Sequence, residues 1–494
     1  MLKNIPTYTK RILNLLNAAG FEAYLVGGAV RDLLLGREPV DYDITTNAKP
    51  ETVRDLALKE GWKVIDNLGQ NFGCCVIVLD DVSTEVTTFR SERYGEDAHK
   101  PKDVWYCETL KEDLARRDFT VNAMAMDATG NIYDYFGGRE DLAKKILRTV
   151  GHASSRYEED ALRMFRACRF VAQLGFTYVE DNPSIGGFGM LNTPYYLEKN
   201  YAFPIERTRG LSLERVRKEI DKMLVAPYAT QGLMLFVATG LSDSTCRVKE
   251  NGKVEEIAIL PELRHIVGLK QNPRFHCYDT WEHTLFAMDN SPRDLLLRWA
   301  LLLHDIGKGQ EGIRVITEEG QPRDAGHEKR SARDAEKIFA RLRMNKDFAK
   351  LATWLVANHM RFVGLFKAEG NTALLRWLRQ EAHSGIFRNN KELVFAYENL
   401  VEVYLADMGA THAGFKKELM DQARALSSRL VELALGMPVA TSDLAITGKD
   451  LLSIIPQERI KDELTYLLAR VQNGDLQNQK TMLVEAVQKH LKRG

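Results

Sequence analysis

The feature that most constrains the fold of this chain is a change of hydrophobic period near Tyr157. Before that point, short apolar runs at AYLV (23–26), VDYDIT (40–45), CCVIVL (74–79) and TEVTTF (84–89) alternate with segments of helical spacing. Period-2 runs bounded by Gly and Asp turns predict strands, so the first 150 residues predict a small α/β domain with a mixed sheet. Beyond it, EEDALRMFRACRFVAQLGF has helical spacing that stops near Gly175, and LSLERVRKEIDKML returns to the same period. From about residue 260 the pattern is almost wholly helical. At roughly 150 residues per domain, the 494 residues predict about three domains, enough to bury a core without disulfides.

Charge narrows the partners. Lys plus Arg is 68 and Asp plus Glu is 68, which excludes a bulk polycation that coats nucleic acid. A nucleic-acid partner would need local basic patches. The six cysteines form no CxxC pair, a usage that fits a reduced, cytoplasmic protein. No apolar run approaches the ~20 residues of a membrane span, so no membrane partner is expected.

Three short motifs carry chemistry. Asp41 and Asp43 are two apart in a strand candidate, which would point both carboxylates to one face. Such a pair repels unless a cation sits between, and Mg²⁺ suits a few carboxylate oxygens plus phosphates. Just upstream, Gly27-Gly28 links a strand to a helix bearing Arg31, where a phosphate could approach the backbone. Further on, Asp160 and Arg163 are three apart in a helical pattern. A carboxylate can accept from the exocyclic amine of cytosine or adenine while a neighbouring guanidinium donates to the adjacent ring nitrogen, and uracil and guanine present the reverse order. Arg166 and Arg169 continue a basic stripe that could meet triphosphate or RNA backbone.

In order, YLVGGAVRDLLLG…VDYDITTNA, RRDFTVNAMAMD (116–127), EDALRMFRACRF (159–170) and the ERxxxE pattern of Glu214, Arg215 and Glu219 resemble the bacterial tRNA nucleotidyltransferase and poly(A) polymerase family. The resemblance covers most of the first 230 residues. It implies that Asp41 and Asp43 bind catalytic Mg²⁺. It implies that Gly28, Arg31, Arg117, Asp118, Arg166 and Arg169 contact the nucleotide, and that Asp160 and Arg163 read the base. The implied activity is template-independent addition of CCA to tRNA from CTP and ATP, releasing pyrophosphate. CC-only, A-only and poly(A) synthesis are the near alternatives. The polar stretch from Arg90 to Glu112 is expected to be a mobile loop whose length matters for the switch from C to A.

A second constellation follows. An apolar helix in SPRDLLLRWALLLHDIGKG ends at His304-Asp305, with His283 upstream and His327, His359 and Asp407 downstream. Imidazole and carboxylate together suit Ni²⁺, Mn²⁺, Fe²⁺ or Mg²⁺. The set resembles the HD phosphohydrolase superfamily, with His283, His304, Asp305 and Asp407 as ligands and His327 and His359 as further candidates. The expected architecture is therefore an α/β nucleotidyltransferase head (1–150) followed by an all-α neck, body and HD-type helical domain. The neck spans 151–245 with an insertion at about 176–210, the HD domain 246–425, and a tail contacting tRNA 426–494. A more distant alternative is an HD phosphohydrolase whose head merely holds RNA, and a third is a non-catalytic RNA-binding scaffold.

Overall fold

The computed structural model describes residues 5–65, 73–94, 101–180, 203–366, 370–412 and 417–491. The chain forms two compact units, Met1–Pro261 and Glu262–Gly494. Head and neck therefore share one unit, and the segment expected to open the HD domain at 246 belongs to it as well.

The first unit is built on a seven-stranded sheet of order β3-β4-β5-β2-β1-β8-β9. Its strands are β1 (Ala23–Val26), β2 (Ile44–Thr46), β3 (Lys63–Ile65), β4 (Cys74–Leu79), β5 (Val82–Thr88), β8 (Met124–Met126) and β9 (Ile132–Asp134). β2 runs antiparallel to β1, with Leu25 opposite Ile44, and parallel to β5, with Ile44 opposite Val86. One apolar cluster gathers Ile12, Leu13, Leu16, Ile44, Val53, Ile77 and Val86, and another gathers Val26, Phe89, Leu110, Leu114 and Ala125. Helices thus cover apolar strand residues, as a mixed sheet requires.

Two expectations need correction here. The segment 90–112 holds an antiparallel hairpin of β6 (Arg90–Tyr94) and β7 (Pro101–Tyr106) rather than an irregular loop, with its turn outside the described residues. The predicted strand over 40–45 is shorter: β2 begins only at Ile44, so both aspartates precede it. Burial still alternates there, with Asp41 exposed, Tyr42 buried and Asp43 exposed. The alternation that suggested a strand is real, and the Val26 N–H to Asp43 carbonyl bond (3.0 Å) ties the segment to β1.

Beyond the sheet, helix Leu162–Leu174 is buried along nearly its whole length and ends on Gly175 in the left-handed region. It packs on helices Leu213–Leu224 and Ala229–Ala238. Gly232 makes that packing close, since a Cβ there would lie 2.6 Å from the Cys168 carbonyl oxygen. The insertion expected at 176–210 falls mostly on 181–202, outside the described residues. The region expected to be all-α also holds small ladders: Ile146–Leu147 with Thr177–Tyr178, Thr245–Glu250 with Lys253–Ala258, and Arg314–Ile316 with Pro322–Asp324.

The second unit is otherwise helical. Helices Thr280–Asp289, Leu295–Leu303, His327–Arg341, Lys346–Asn358 and Asn390–Gly409 pack around Trp281, Trp299, Phe339 and Tyr404, all buried. Residues Leu444–Val487 form a separate apolar cluster that includes Leu451, Leu467 and Leu483. No helix among the described residues is long and apolar enough to cross a membrane.

Candidate functional site

In the first unit the site grows from the turn after β1. Gly27 has φ +73°, and a Cβ on it would stand 3.0 Å from Arg117 Nη1. Glycine there lets the Arg117 guanidinium lie against the backbone. Arg117 Nη2 donates to Asp113 Oδ2 (3.4 Å), while its buried Nε has no hydrogen-bond partner. Arg31, on helix Gly28–Leu34, donates Nη1 to Asn122 Oδ1 (2.7 Å) and holds Asp32 through Nε and Nη2. Asn122 donates in turn to Asp118 Oδ1 (3.1 Å), and Arg166 Nε and Nη2 both reach Asp118 Oδ2. A continuous chain, Arg31–Asn122–Asp118–Arg166, thus runs from the glycine turn to helix Leu162–Leu174. Burial opposes ionisation of Asp118, but Arg166 and Asn122 outweigh it and hold the carboxyl well below the usual range.

Asp43 behaves in the opposite way. Burial of its carboxyl, then the charge of Glu85, raise its pKa to about 6; Arg117 opposes this and Asp41 adds to it. The Asp43 residue as a whole is exposed, so this burial reflects protein crowding around one side of the carboxyl. Three carboxylates of like charge near one guanidinium form an arrangement that a divalent cation would relieve.

The base-reading pair departs from expectation. Asp160 and Arg163 do not share a helix face, because Asp160 sits in extended backbone between helix Ala153–Glu159 and helix Leu162–Leu174. Its Oδ1 accepts from the N–H of Leu162 (3.0 Å), the first residue of the second helix. Arg163 is buried, with Nη1 on Glu159 Oε2 (2.9 Å) and Nη2 on the Arg116 carbonyl (2.7 Å). The stripe expected to face phosphate is occupied from within the protein. Arg166 is held by Asp118, and Arg169 Nε pairs with Glu219 Oε2 (2.5 Å) while its guanidinium lies 4.1 Å from the Phe170 ring centroid. Asp113, Asn122 and Glu85 were not singled out in the sequence. Asp113, wholly buried, joins Arg116, Arg117 and Thr45, and no local pattern announces such a hub.

In the second unit all six predicted ligands converge. His283, His304 and Asp407 place ligand atoms within 4.8 Å of one another, as do Asp305, His327 and His359. His283 Nε2 is 2.9 Å from Asp407 and 3.5 Å from Asp305; His304 Nε2 is 3.3 Å from Asp305, and His327 Nε2 is 3.1 Å from it. Asp305 therefore touches both sets. Each of these imidazoles turns Nδ1 to a backbone carbonyl: His283 to Ala410, His304 to Leu301, His327 to Asp324 and His359 to Val356. That outer contact fixes the tautomer with the hydrogen on Nδ1 and aims each Nε2 lone pair inward. Both Asp305 oxygens are buried without a well-aligned hydrogen bond, although Lys308 Nζ stands 2.7 Å away. Burial disfavours the His304 cation, yet Asp305 and Asp407 outweigh it and raise its pKa, while burial and the neighbouring imidazoles push His359 down to about 3. Four imidazole Nε2 atoms and two buried carboxylates gathered this closely form a donor set that fits divalent cations. His276 and Lys308, which border this centre, carry no signal of their own in the sequence.

Residues 23–148 match the family model of the poly A polymerase head domain, and residues 275–379 match that of the HD domain. Fold and site together define a nucleotidyltransferase-type head joined to an HD domain. A CCA-adding enzyme of Geobacillus thermodenitrificans (strain NG80-2) is 43% identical over 242 residues, covering 49% of this chain and 55% of that protein. One from Geobacillus sp. (strain WCH70) is 39% identical over 305 residues, covering 62% of this chain and 69% of its own length. Among solved structures, the Bacillus stearothermophilus CCA-adding enzyme in complex with CTP superposes with a TM-score of 0.60 at 26% identity, over 98% of this chain and 97% of that one. The chain belongs to the CCA-adding enzyme family. The sequence match spans little more than half of the first relative's length.

Proposed function

We propose that this protein adds CCA to the 3′ end of tRNA, using CTP and ATP and releasing pyrophosphate. The observation that carries the reading is geometric: the Arg117 guanidinium lies against the Gly27-Gly28 turn, and Val26, just before that turn, donates to the Asp43 carbonyl, which brings the acidic segment to the same turn. Asp41 and Asp43 would hold Mg²⁺, which supplies charge neutralisation on the triphosphate when bound. Gly28, Arg31 and Arg117 bracket the phosphates. Asp118 holds Arg166 in place for the nucleotide, and Glu219 does so for Arg169. Asp160, at the break between two helices, and Arg163 would read the base edge once the Arg163 guanidinium leaves Glu159 and the Arg116 carbonyl. In the reaction the tRNA 3′ oxygen forms a bond to the α-phosphorus, and the bond from that phosphorus to the bridging oxygen of pyrophosphate breaks. The tail over 426–494 is assigned to tRNA backbone contact, and the site of action to the cytoplasm, where tRNA and nucleotides meet.

The test is incubation with a tRNA ending at its discriminator base and CTP, ATP or both. Three added residues with both nucleotides support the reading; CC alone, A alone or a poly(A) tail replaces it with the corresponding narrower activity.

We also infer that the second unit's centre takes divalent ions, Ni²⁺, Mn²⁺ or Fe²⁺ in preference to Mg²⁺ because four imidazoles line it. It would serve phosphate-ester hydrolysis independent of nucleotide addition. Asp41→Ala should then abolish incorporation and spare hydrolysis, and Asp305→Ala should do the reverse. A phosphohydrolase whose head merely holds RNA predicts no incorporation by the native protein, and an RNA-binding scaffold predicts no turnover at all.

A further inference from the structure

A fifth imidazole stands beside the HD centre and belongs to neither ligand set. His276 packs edge-on against His283, with ring centroids 5.0 Å apart and an interplanar angle of 86°. Alone among the five rings it is partly exposed; His283, His304, His327 and His359 are buried. Its Nδ1 is buried and has no hydrogen-bond partner among the described residues, whereas the other four rings each spend Nδ1 on a backbone carbonyl. An unpaired buried ring nitrogen is costly, and such an atom is met in native proteins by an ordered water, an ion or a ligand.

The loop that carries His276 is fixed at several points. Its own N–H donates to the Asn272 carbonyl (3.1 Å), and the Phe275 carbonyl accepts from His412 N (3.0 Å). Gln271 of the same loop accepts from Lys308 Nζ (2.8 Å), and Lys308 stands 2.7 Å from Asp305. The loop is therefore held in place before any ligand binds, on the side of the centre where Lys308 supplies a second donor, while no hydrogen bond fixes the ring through Nδ1. Donors held beside a metal centre suit an oxyanion with several oxygens, one on the ions and another on the imidazole.

We propose that His276 is a substrate-contacting residue of the HD centre, hydrogen-bonding a phosphate-ester oxygen whose neighbouring oxygen binds the metal. This rests on the metal-binding reading of that centre. The Nδ1-protonated tautomer donates to the oxygen, and no proton transfer is required of it.

The experiment uses the full chain carrying Asp41→Ala and Asp43→Ala, so that the head contributes no metal signal. Calorimetric titration with Mn²⁺, then with inorganic phosphate on the Mn²⁺-loaded protein, is compared with the same chain carrying His276→Ala or His276→Asn. The expected result is unchanged Mn²⁺ stoichiometry and affinity, with phosphate bound about tenfold more weakly by His276→Ala, the scale of one lost hydrogen bond to a charged group. His276→Asn, which keeps a side-chain N–H near the Nδ1 position, should recover most of that affinity. Phosphate affinity unchanged in His276→Ala overturns the proposal. So does loss of an ion, which would make His276 a ligand, and so does failure of His276→Asn to recover, which would assign the effect to packing against His283. If the chain with His276 intact binds no Mn²⁺, the metal reading itself fails and the proposal with it.

Discussion

Replacing Asp118 by Asn removes one negative charge from a nearly closed pocket while keeping its volume. Asp118 is 8% exposed and accepts from Arg166, Asn122 and the Phe119 N–H. The change leaves Arg166 without its counter-charge. Breaking a fully buried pair costs about 3–5 kcal/mol, and the partial exposure of Arg166 reduces this to roughly 2–3 kcal/mol. In a unit of this size each kcal/mol shifts Tm by about 2–4 °C, so the first unit should melt about 4–12 °C lower by scanning calorimetry. Arg166→Met in the same background should add little further loss, with a coupling of about 2 kcal/mol in the double-mutant cycle. The pH dependence has a definite sign. Because the Asp118 carboxyl is held below its ordinary range, its contribution is present above the unfolded carboxyl pKa and is lost as pH falls through the folded one. The gap between native and Asp118→Asn proteins should therefore narrow under strong acid. A melting temperature within a degree of native, or strictly additive single changes, would refute the pairing as a stabilising element.

Three further outcomes follow from the same geometry. With Asp43 raised to about 6, its carboxylate form is lost as pH falls through that value, so half-saturating Mg²⁺ for incorporation should rise steeply below pH 6 and change little above pH 7.5; flat Mg²⁺ dependence across that range would contradict the coupling. Gly27→Ala forces a Cβ to within 3.0 Å of Arg117 Nη1 at a positive φ, so the nucleotide KM should rise at least about tenfold and the first unit should melt several degrees lower, because a side chain in that backbone region costs about 1–3 kcal/mol. For the HD centre, Mn²⁺ at a hundred times its Kd should raise the second unit's stability by about 2.7 kcal/mol, and by less at pH 6 than at pH 8 because protons compete for the same imidazoles.

Local patterns made part of this molecule legible. The Gly27-Gly28 turn, the spacing of Asp41 and Asp43, and the end of helix Leu162–Leu174 at Gly175 are each set within a few residues, and the structure keeps all three. The six side chains that gather in the second unit were also findable, because an apolar helix ending in His304-Asp305 is locally distinctive. What could not be read depends on long-range pairing. β2 starts late because only Ile44–Thr46 finds partners on both sides, in β1 and β5. Asp160 leaves the helix because its side chain accepts from the Leu162 N–H, an alternative that helical periodicity does not register. Arg166 and Arg169 read as a phosphate-facing stripe because Asp118 and Glu219, their partners, lie 48 and 50 residues away in the chain. The ladder of Thr245–Glu250 with Lys253–Ala258 lies in a region whose pattern reads as all-α, and its second strand is too exposed to show an apolar alternation.

The most direct measurement is single-turnover incorporation of labelled CMP and AMP into a tRNA lacking its 3′ terminus, comparing native protein with Asp41→Ala, Asp43→Ala and Asp305→Ala. Two cytidines and one adenosine from the native and Asp305→Ala proteins, and none from either head variant, is the predicted result. Undiminished incorporation by both Asp41→Ala and Asp43→Ala would contradict a catalytic centre at these carboxylates.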